Sequence, residues 1–304
     1  MAISLTGLLV VATMLAAPVT AADAEQRAVD SSVAAASALG IQQSIAVIDR
    51  ATGDAVASSG ADLQYISESI VKLFTVAYYE VQANGAADAA LSDELRTMIE
   101  QSDDDIESQL WNIDIVPAMA QRYGLAHTGN GPRTGPHDWG WEMITAGDEA
   151  KFLFQMSLDP EVAPLLTDAM ANVASTGSDG FDQEFGLDAL AGDHGSKQGW
   201  TDVDEATDRI QIHSVGWTDQ YFVAILQTST SADDDTLRAA ATSAARAIES
   251  AESSAMTTAT ALPPTTDDAP SGIAVVSQLA QVIGQVRQQI GTALQRALGL
   301  PGGG

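Results

Sequence analysis

The sequence contains no cysteine, and only three of its 304 residues are lysine: Lys72, Lys151 and Lys197. Without cysteine there is no disulfide, no thiolate metal site and no lipid-modified cysteine at the N-terminus. Basic residues of either kind number 13 against 41 acidic ones, and the net charge is −28. A nucleic-acid binder needs clustered Lys and Arg to meet phosphates, so that class is excluded. Attraction to an anionic membrane surface by charge is excluded for the same reason. The excess reads instead as a solvated, self-repelling surface. His127, His137, His194 and His213 lack the spacing of a metal site, and no cofactor is expected. The chain shows no internal repeats.

What is present is enough to build a core: 45 % of the residues are hydrophobic. Ile3 to Ala17 is apolar and uncharged, short for a membrane span, and followed by Pro18 and small residues. Val19-Thr20-Ala21 has the form of an export cleavage site, although no basic residue precedes the apolar stretch. Residues 1–21 therefore read as a signal peptide, with an uncleaved anchor or a buried helix as the alternative. Residues 25–251 form one domain. Residues 252–271 are rich in Thr, Ala, Ser and Pro and read as a flexible linker. Within 272–300, Val276, Leu279, Ile283, Val286 and Ile290 are spaced 3, 4, 3, 4, an amphipathic helix. It would dock on its own domain, pair with a copy of itself, or attach to an envelope surface. The expected location is secreted, with envelope association through this helix.

Between these ends the element order is helix, two strands, a helical block, three strands, helix. The early strands are Ile41 to Asp49 and Ala55 to Ser58, with Thr52-Gly53-Asp54 as the turn. A helix from Ser69 to about Asn84 follows, stopped by Gly85. Shorter helices cover Leu91 to Glu100, Ile106 to Trp111 and Val116 to Tyr123. His127 to Trp141 is an irregular loop rich in Gly and Pro. Helices at Thr145 to Met156 and Val162 to Val173 come next. The late strands are Gly195 to Thr201, Arg209 to Trp217 and Tyr221 to Thr228, and a helix runs from Ala232 to Ser250. The fold class is α+β, with early and late strands in one antiparallel sheet and the helical block as a second lobe.

Three short motifs stand on these elements. Ser69 and Lys72 are three residues apart at the start of a helix, hence on one face. A serine there is placed for attack, with a lysine one turn on to take its proton and the helix N-terminus to stabilise developing negative charge. Ser102-Asp103-Asp104 lies at a helix junction. Lys197-Gln198-Gly199-Trp200 opens the first late strand. Because lysine is so scarce, two of three lysines falling in such motifs gives each motif weight. The plain alternatives are that Ser102 is only a helix N-cap, Lys197 a solvated strand residue and Trp200 part of the core.

Ser-x-x-Lys, Ser-Asp-Asp and Lys-Gln-Gly-Trp, in this order, resemble the Ser-x-x-Lys, Ser-Asp-Asn and Lys-Thr-Gly signature of the class A β-lactamase and D-alanyl-D-alanine peptidase superfamily. The closer likeness is to an exported serine hydrolase branch of high-GC Gram-positive bacteria, in which Lys-x-Gly-Trp also occurs. The resemblance runs from about Ile41 to Ser250. It implies a five-stranded antiparallel sheet flanked by helices plus an all-helical lobe. It implies that Ser69 is acylated by a β-lactam or a peptidoglycan-derived peptide, that Lys72 takes the serine proton, and that Ser102 relays a proton to the leaving amine. Lys197 would supply positive charge for a substrate carboxylate and favour an uncharged Lys72. Asp104, Gln198, Gly199 and Trp200 would line the substrate site, with the backbone N–H groups of Ser69 and Trp200 as the oxyanion hole.

The sequence departs from that family in three places. Asp104 stands where the family has Asn, so a hydrogen-bond donor is lost and a carboxylate is placed against Lys72. Gln198 replaces a small hydroxyl residue, and Trp200 adds bulk. The loop from His127 to Trp141 holds one carboxylate, Asp138, with Glu142 just beyond, and neither lies in a recognisable deacylation motif. Ser69 and Ser102 are also closer in sequence than in typical class A enzymes, which implies a trimmed helical lobe. A non-catalytic envelope module that retains the fold is the alternative reading.

Overall fold

The computed structural model describes residues 21–133, 135, 137–204 and 209–260. Nearly all of the signal-peptide reading of 1–21, most of the linker reading of 252–271 and the helix reading of 272–300 therefore fall outside the described residues. One compact unit ends at Thr257. Its elements are α1 (Ala21–Ala38), β1 (Ile41–Asp49), β2 (Ala55–Ser59), β3 (Gln64–Ile66), α2 (Lys72–Gln82), α3 (Ala89–Glu100), α4 (Asp104–Leu110), α5 (Ile115–Tyr123), β4 (Met143–Thr145), α6 (Ala146–Ser157), α7 (Ala163–Ala171), β5 (Gly195–Asp204), β6 (Arg209–Trp217), β7 (Tyr221–Ser229) and α8 (Asp234–Thr260). The fold is α+β, as the sequence indicates, with five antiparallel strands in the order β2-β1-β7-β6-β5. A separate two-stranded ribbon, β3 with β4, adds to the expected elements. Its three-residue strands are too short to show a period.

Strand β7 explains the layering. All nine of its residues are buried, so alternation of polar and apolar residues is absent and both faces must be covered. Successive side chains point to opposite faces. Phe222, Ala224 and Leu226 join the core shared with α2 to α7. Tyr221, Val223 and Ile225 join a second core with Val29 of α1 and Leu237, Ala241 and Ile248 of α8. In the first core Phe152 meets Phe74 edge-on at 4.8 Å and Tyr123 at 5.1 Å. Each buried side chain of this size stabilises the fold by about 1.5–3 kcal/mol.

Several helix ends follow their sequence signals. The Asp88 carboxylate caps α3 at Leu91, and Thr145 caps α6 by accepting from the Asp148 N–H. Gly124 ends α5 in the left-handed conformation, φ 64°. Two readings change. The expected helix from Ser69 begins as a tight 3-10 turn, Glu68–Val71, and becomes α-helical only at Lys72. Helix α8 runs past Ser250, its expected end, to Thr260, so the first part of the expected linker is helical. Glu252 is buried there and accepts the Gln220 N–H at 2.6 Å. The Ala- and Ser-rich composition after Glu252 therefore extends the helix and does not break it.

Candidate active site

Ser69 lies in the 3-10 turn that joins β3 to α2. The turn is sharp: Glu68 takes φ 47°, a conformation that disfavours side chains. Such a position costs about 1–3 kcal/mol and persists only where neighbours fix it. Gln211 of β6 donates to the Glu68 carboxylate at 3.1 Å. His213 of β6 holds the preceding strand, because its Nε2 donates to the Ile66 carbonyl at 2.8 Å. Its Nδ1 accepts the Gln227 N–H at 3.1 Å, which fixes the tautomer. Burial pushes this imidazole down to about 4, so it is neutral.

Helical spacing then brings the first pair together. Lys72 Nζ lies 2.6 Å from Ser69 Oγ and 2.7 Å from Asp104 Oδ1. It also sits 4.2 Å from the ring centroid of Trp139, whose indole N–H donates to Ser108 at 3.1 Å. Lys72 is fully buried, whereas the Asp104 side chain is 54 % exposed. The carboxylate is therefore the solvent-facing end of the ion pair.

The second pair comes from the other side. Ser102 has φ 52° and is buried. It is not the helix N-cap: Asp103 is, accepting the Ile106 N–H at 2.9 Å. The Ser102 hydroxyl instead accepts from Lys197 Nζ at 2.8 Å. Lys197 also donates to the Gln198 carbonyl at 2.6 Å. It too is fully buried, so it is no solvated strand lysine. Burial first, and Lys72 second, push its ammonium well below the ordinary lysine range.

The period of β5 sorts the third motif. Lys197 pairs with Val215, a member of the core shared with the helical lobe, and Gly199 pairs with His213. A methyl added at Gly199 would lie 3.1 Å from Ile70 Cγ1 and 3.2 Å from the Ser67 carbonyl. Glycine there lets β5 approach the nucleophile turn closely. Gln198 and Trp200 point the opposite way. The Gln198 amide is buried and donates to Ser196 at 3.0 Å and to the Phe185 carbonyl at 3.3 Å. Its side chain is thus turned from the site, a correction to the expectation that it lines the substrate. Trp200 stacks on Phe181 at 4.6 Å and donates to Asp179 at 3.0 Å, yet its ring stays 5.5 Å from Lys197 Nζ.

The sequence did not single out Glu107, Thr75, Trp139 or Asp179. Glu107 is one turn beyond Asp104, and Thr75 one turn beyond Lys72; their side chains meet at 2.7 Å. Burial raises the Glu107 carboxyl to about 7, with Lys72 pulling it down. The i, i+3 echo of the two motifs was the available signal. Trp139 opens a short 3-10 turn, Trp139–Trp141, within the expected loop, Asp179 lies in a loop, and no period points to either. The loop carboxylates are engaged elsewhere: Asp138 accepts the Gly135 N–H and Glu142 the Gly131 N–H. His194 makes a loop hydrogen bond to the Gly192 carbonyl. Among the described residues no group of His, Asp and Glu side chains is arranged to hold a metal ion.

The chain is 30 % identical over 222 residues to the protein called "Putative lipoprotein LppW" of Mycobacterium tuberculosis and of Mycobacterium bovis, spanning 67 % of this chain and 68 % of the relative. No family model matches. Similar solved structures include a β-lactamase from Xanthomonas campestris pv. campestris, 13 % identical with a TM-score of 0.62, covering 77 % of this chain and 100 % of that one. A class A β-lactamase from Mycobacterium abscessus is 14 % identical with a TM-score of 0.58, covering 74 % and 99 %. The fold is that of the β-lactamase superfamily. At these identities the likeness to solved structures is one of fold.

Proposed function

The chain belongs to the family of the mycobacterial LppW proteins, and on that footing we propose that it is an exported serine acyl-transfer hydrolase of the β-lactamase and penicillin-binding type. Its substrate would be a β-lactam or a peptidoglycan-derived peptide. The observation that carries the reading is the pair of Ser–Lys contacts, Ser69 with Lys72 at 2.6 Å and Ser102 with Lys197 at 2.8 Å.

In the proposed step, Lys72 in its amine form takes the Ser69 proton as Oγ bonds to the substrate carbonyl carbon. The C–N bond then breaks, the leaving amine takes the Ser102 hydroxyl proton, and the proton held on Lys72 makes that loss good, with Lys197 hydrogen-bonded to Ser102. In the second step the oxygen of a water molecule bonds to the acyl carbon, the bond from that carbon to Ser69 Oγ breaks, Oγ takes back a proton, and the acyl group leaves as the carboxylic acid. The N–H groups of Ser69 and Trp200 are the proposed oxyanion donors. Incubating the protein with a fluorescent penicillin and reading intact mass tests the nucleophile. The expected result is one adduct or consumption of the penicillin with wild type and neither with Ser69→Ala; no adduct and no consumption with wild type would remove β-lactams as substrates.

A second reading, a binding module that keeps the fold without turnover, is favoured by one observation: the 2.7 Å ion pair with Asp104, which engages the lysine that would have to take the serine proton. Acylation that appears only in Asp104→Asn would select this reading. For location, we propose export, followed by envelope association. The relative is named a lipoprotein, but this sequence has no cysteine to carry a lipid. Among the described residues no helix is long and apolar enough to cross a membrane. The segment beyond Thr260 is the proposed attachment or self-association element. Unchanged envelope fractionation and unchanged sedimentation after truncation there would rule that role out.

A further inference from the structure

The charges around Ser69 are unevenly placed. Both lysines of the site are fully buried, and their ammonium groups are occupied. Lys72 binds Ser69 and Asp104, and Lys197 binds Ser102 and the Gln198 carbonyl. Burial moreover drives Lys197 toward the neutral amine. The carboxylates lie further out. Asp104 is 54 % exposed beside Lys72. Asp179 is exposed on the Trp200 indole N–H, in a segment tied to Gln101 by a 2.7 Å bond from the Ser178 N–H. Glu68, next to Ser69, is half-buried against Gln211. The loop's arginine, Arg133, is held over the Trp141 ring at 3.3 Å. Of the charged groups around the two Ser–Lys pairs, the carboxylates of Asp104 and Asp179 face solvent and the two lysines do not.

We propose that this site selects acyl donors carrying an ammonium group and disfavours those carrying a carboxylate, with Asp104 and Asp179 as the selecting residues. The inference rests on the acyl-transfer reading above and narrows it to amine-bearing peptides or esters. The net charge of −28 works in the same direction, because it raises the local concentration of cations and lowers that of anions. Opposite charge at the rim governs partner choice and encounter rate more than maximal affinity, so the preference should weaken with salt.

The test uses three matched aryl esters on the full chain: one neutral, one with an ammonium and one with a carboxylate on the acyl side. Ser69-dependent acylation is followed by intact mass and by release of the aryl alcohol. The ammonium ester is expected to react at least about tenfold faster than the carboxylate ester at low salt. The ratio should shrink toward unity at about 1 M salt, and Asp179→Asn should narrow it at low salt. A carboxylate ester that reacts as fast as the neutral one would overturn the proposal. Should none of the esters acylate Ser69, the acyl-transfer reading fails. The charge preference is still read by titrating Ser69→Ala with the three corresponding amides. Equal binding of the ammonium and carboxylate amides overturns it, and tighter binding of the ammonium amide supports it.

Discussion

The two Ser–Lys pairs of the site are built from the same parts and tuned apart. Both lysines are fully buried, and each sits within 2.8 Å of a serine hydroxyl. Lys72, on a helix, also has a carboxylate at 2.7 Å and an aromatic face at 4.2 Å. Lys197, on an edge strand, has only neutral oxygens within hydrogen-bond reach: Ser102 and the Gln198 carbonyl. Burial disfavours an ammonium, and an adjacent carboxylate offsets that. At Lys72 that carboxylate is in contact; at Lys197, Asp104, Asp179 and Glu107 act only from beyond hydrogen-bond reach, and burial outweighs them. The pair that looks like nucleophile and base therefore carries the ion-paired lysine, and the pair that looks auxiliary holds the lysine driven toward the amine.

The largest effect should come from removing each lysine in turn. Lys72→Ala is expected to slow acylation of Ser69 by about 10³-fold, and Lys197→Ala by about 10²-fold, in the range of general acid–base losses. Single-turnover labelling measures both. The reverse order would assign the proton-accepting role to the Lys197 pair. Next in size is Asp104→Asn, which removes the carboxylate while keeping an acceptor and adding a donor. It should raise the acylation rate by about tenfold or more. A rate unchanged from wild type would mean that the ion pair does not hold Lys72 back from the serine proton.

The legibility of the molecule follows the same division between periodic and non-periodic structure. The apolar run Tyr221–Leu226 reads as a strand, and the position of β7 between β1 and β6 gives the two cores their opposite-facing residues. The helical i, i+3 spacing places Ser69 and Lys72 together, and the structure has them in contact. Strand alternation also contains the Gln198 outcome, since a residue adjacent to Lys197 in a strand faces the other side. The motif to which Gln198 belongs points the other way, and the strand period prevails. Trp139 and Asp179 are not legible, because loops bring them to the site and loop paths depend on contacts with distant residues such as Ser108 and Gln101. Glu107 lies between these cases: its spacing from Asp104 is visible in the sequence, but its complete burial is not.

Glu107 sharpens the comparison through stability. It faces Lys72, Asp104 and Lys197, with Thr75 donating to it. Its carboxyl is raised from 4.5 to about 7, chiefly by burial. The folded state therefore holds a proton that the unfolded state releases between these values, so this group's contribution to stability is greatest below about pH 4.5 and is lost as pH rises toward 7. The shift corresponds to about 3 kcal/mol. Urea unfolding at pH 5 and pH 8 should show Glu107→Gln gaining stability on the wild type as pH rises, with the opposite contributions of His213 and Lys197, both lowered by burial, common to the two proteins. Glu142, raised to about 7, and Glu149, raised well above the ordinary carboxylate range, both chiefly by burial, act in the same sense in both proteins. An identical pH dependence in wild type and variant would show that Glu107 does not titrate between these pH values.

The smallest predicted effect isolates the aromatic contact that Lys72 has from the loop. Trp139 presents its ring to Lys72 and its N–H to Ser108. Trp139→Phe keeps a ring and loses the hydrogen bond, whereas Trp139→Leu loses both. A cation over an aromatic face contributes about 0.5–2 kcal/mol, depending on how far the ammonium is desolvated. For a domain of this size that corresponds to a few degrees in Tm. Calorimetry should therefore place the Trp139→Phe protein between wild type and Trp139→Leu. Equal Tm values for the two substitutions in the wild-type background would leave shape, and not the π face, as what Trp139 supplies to Lys72.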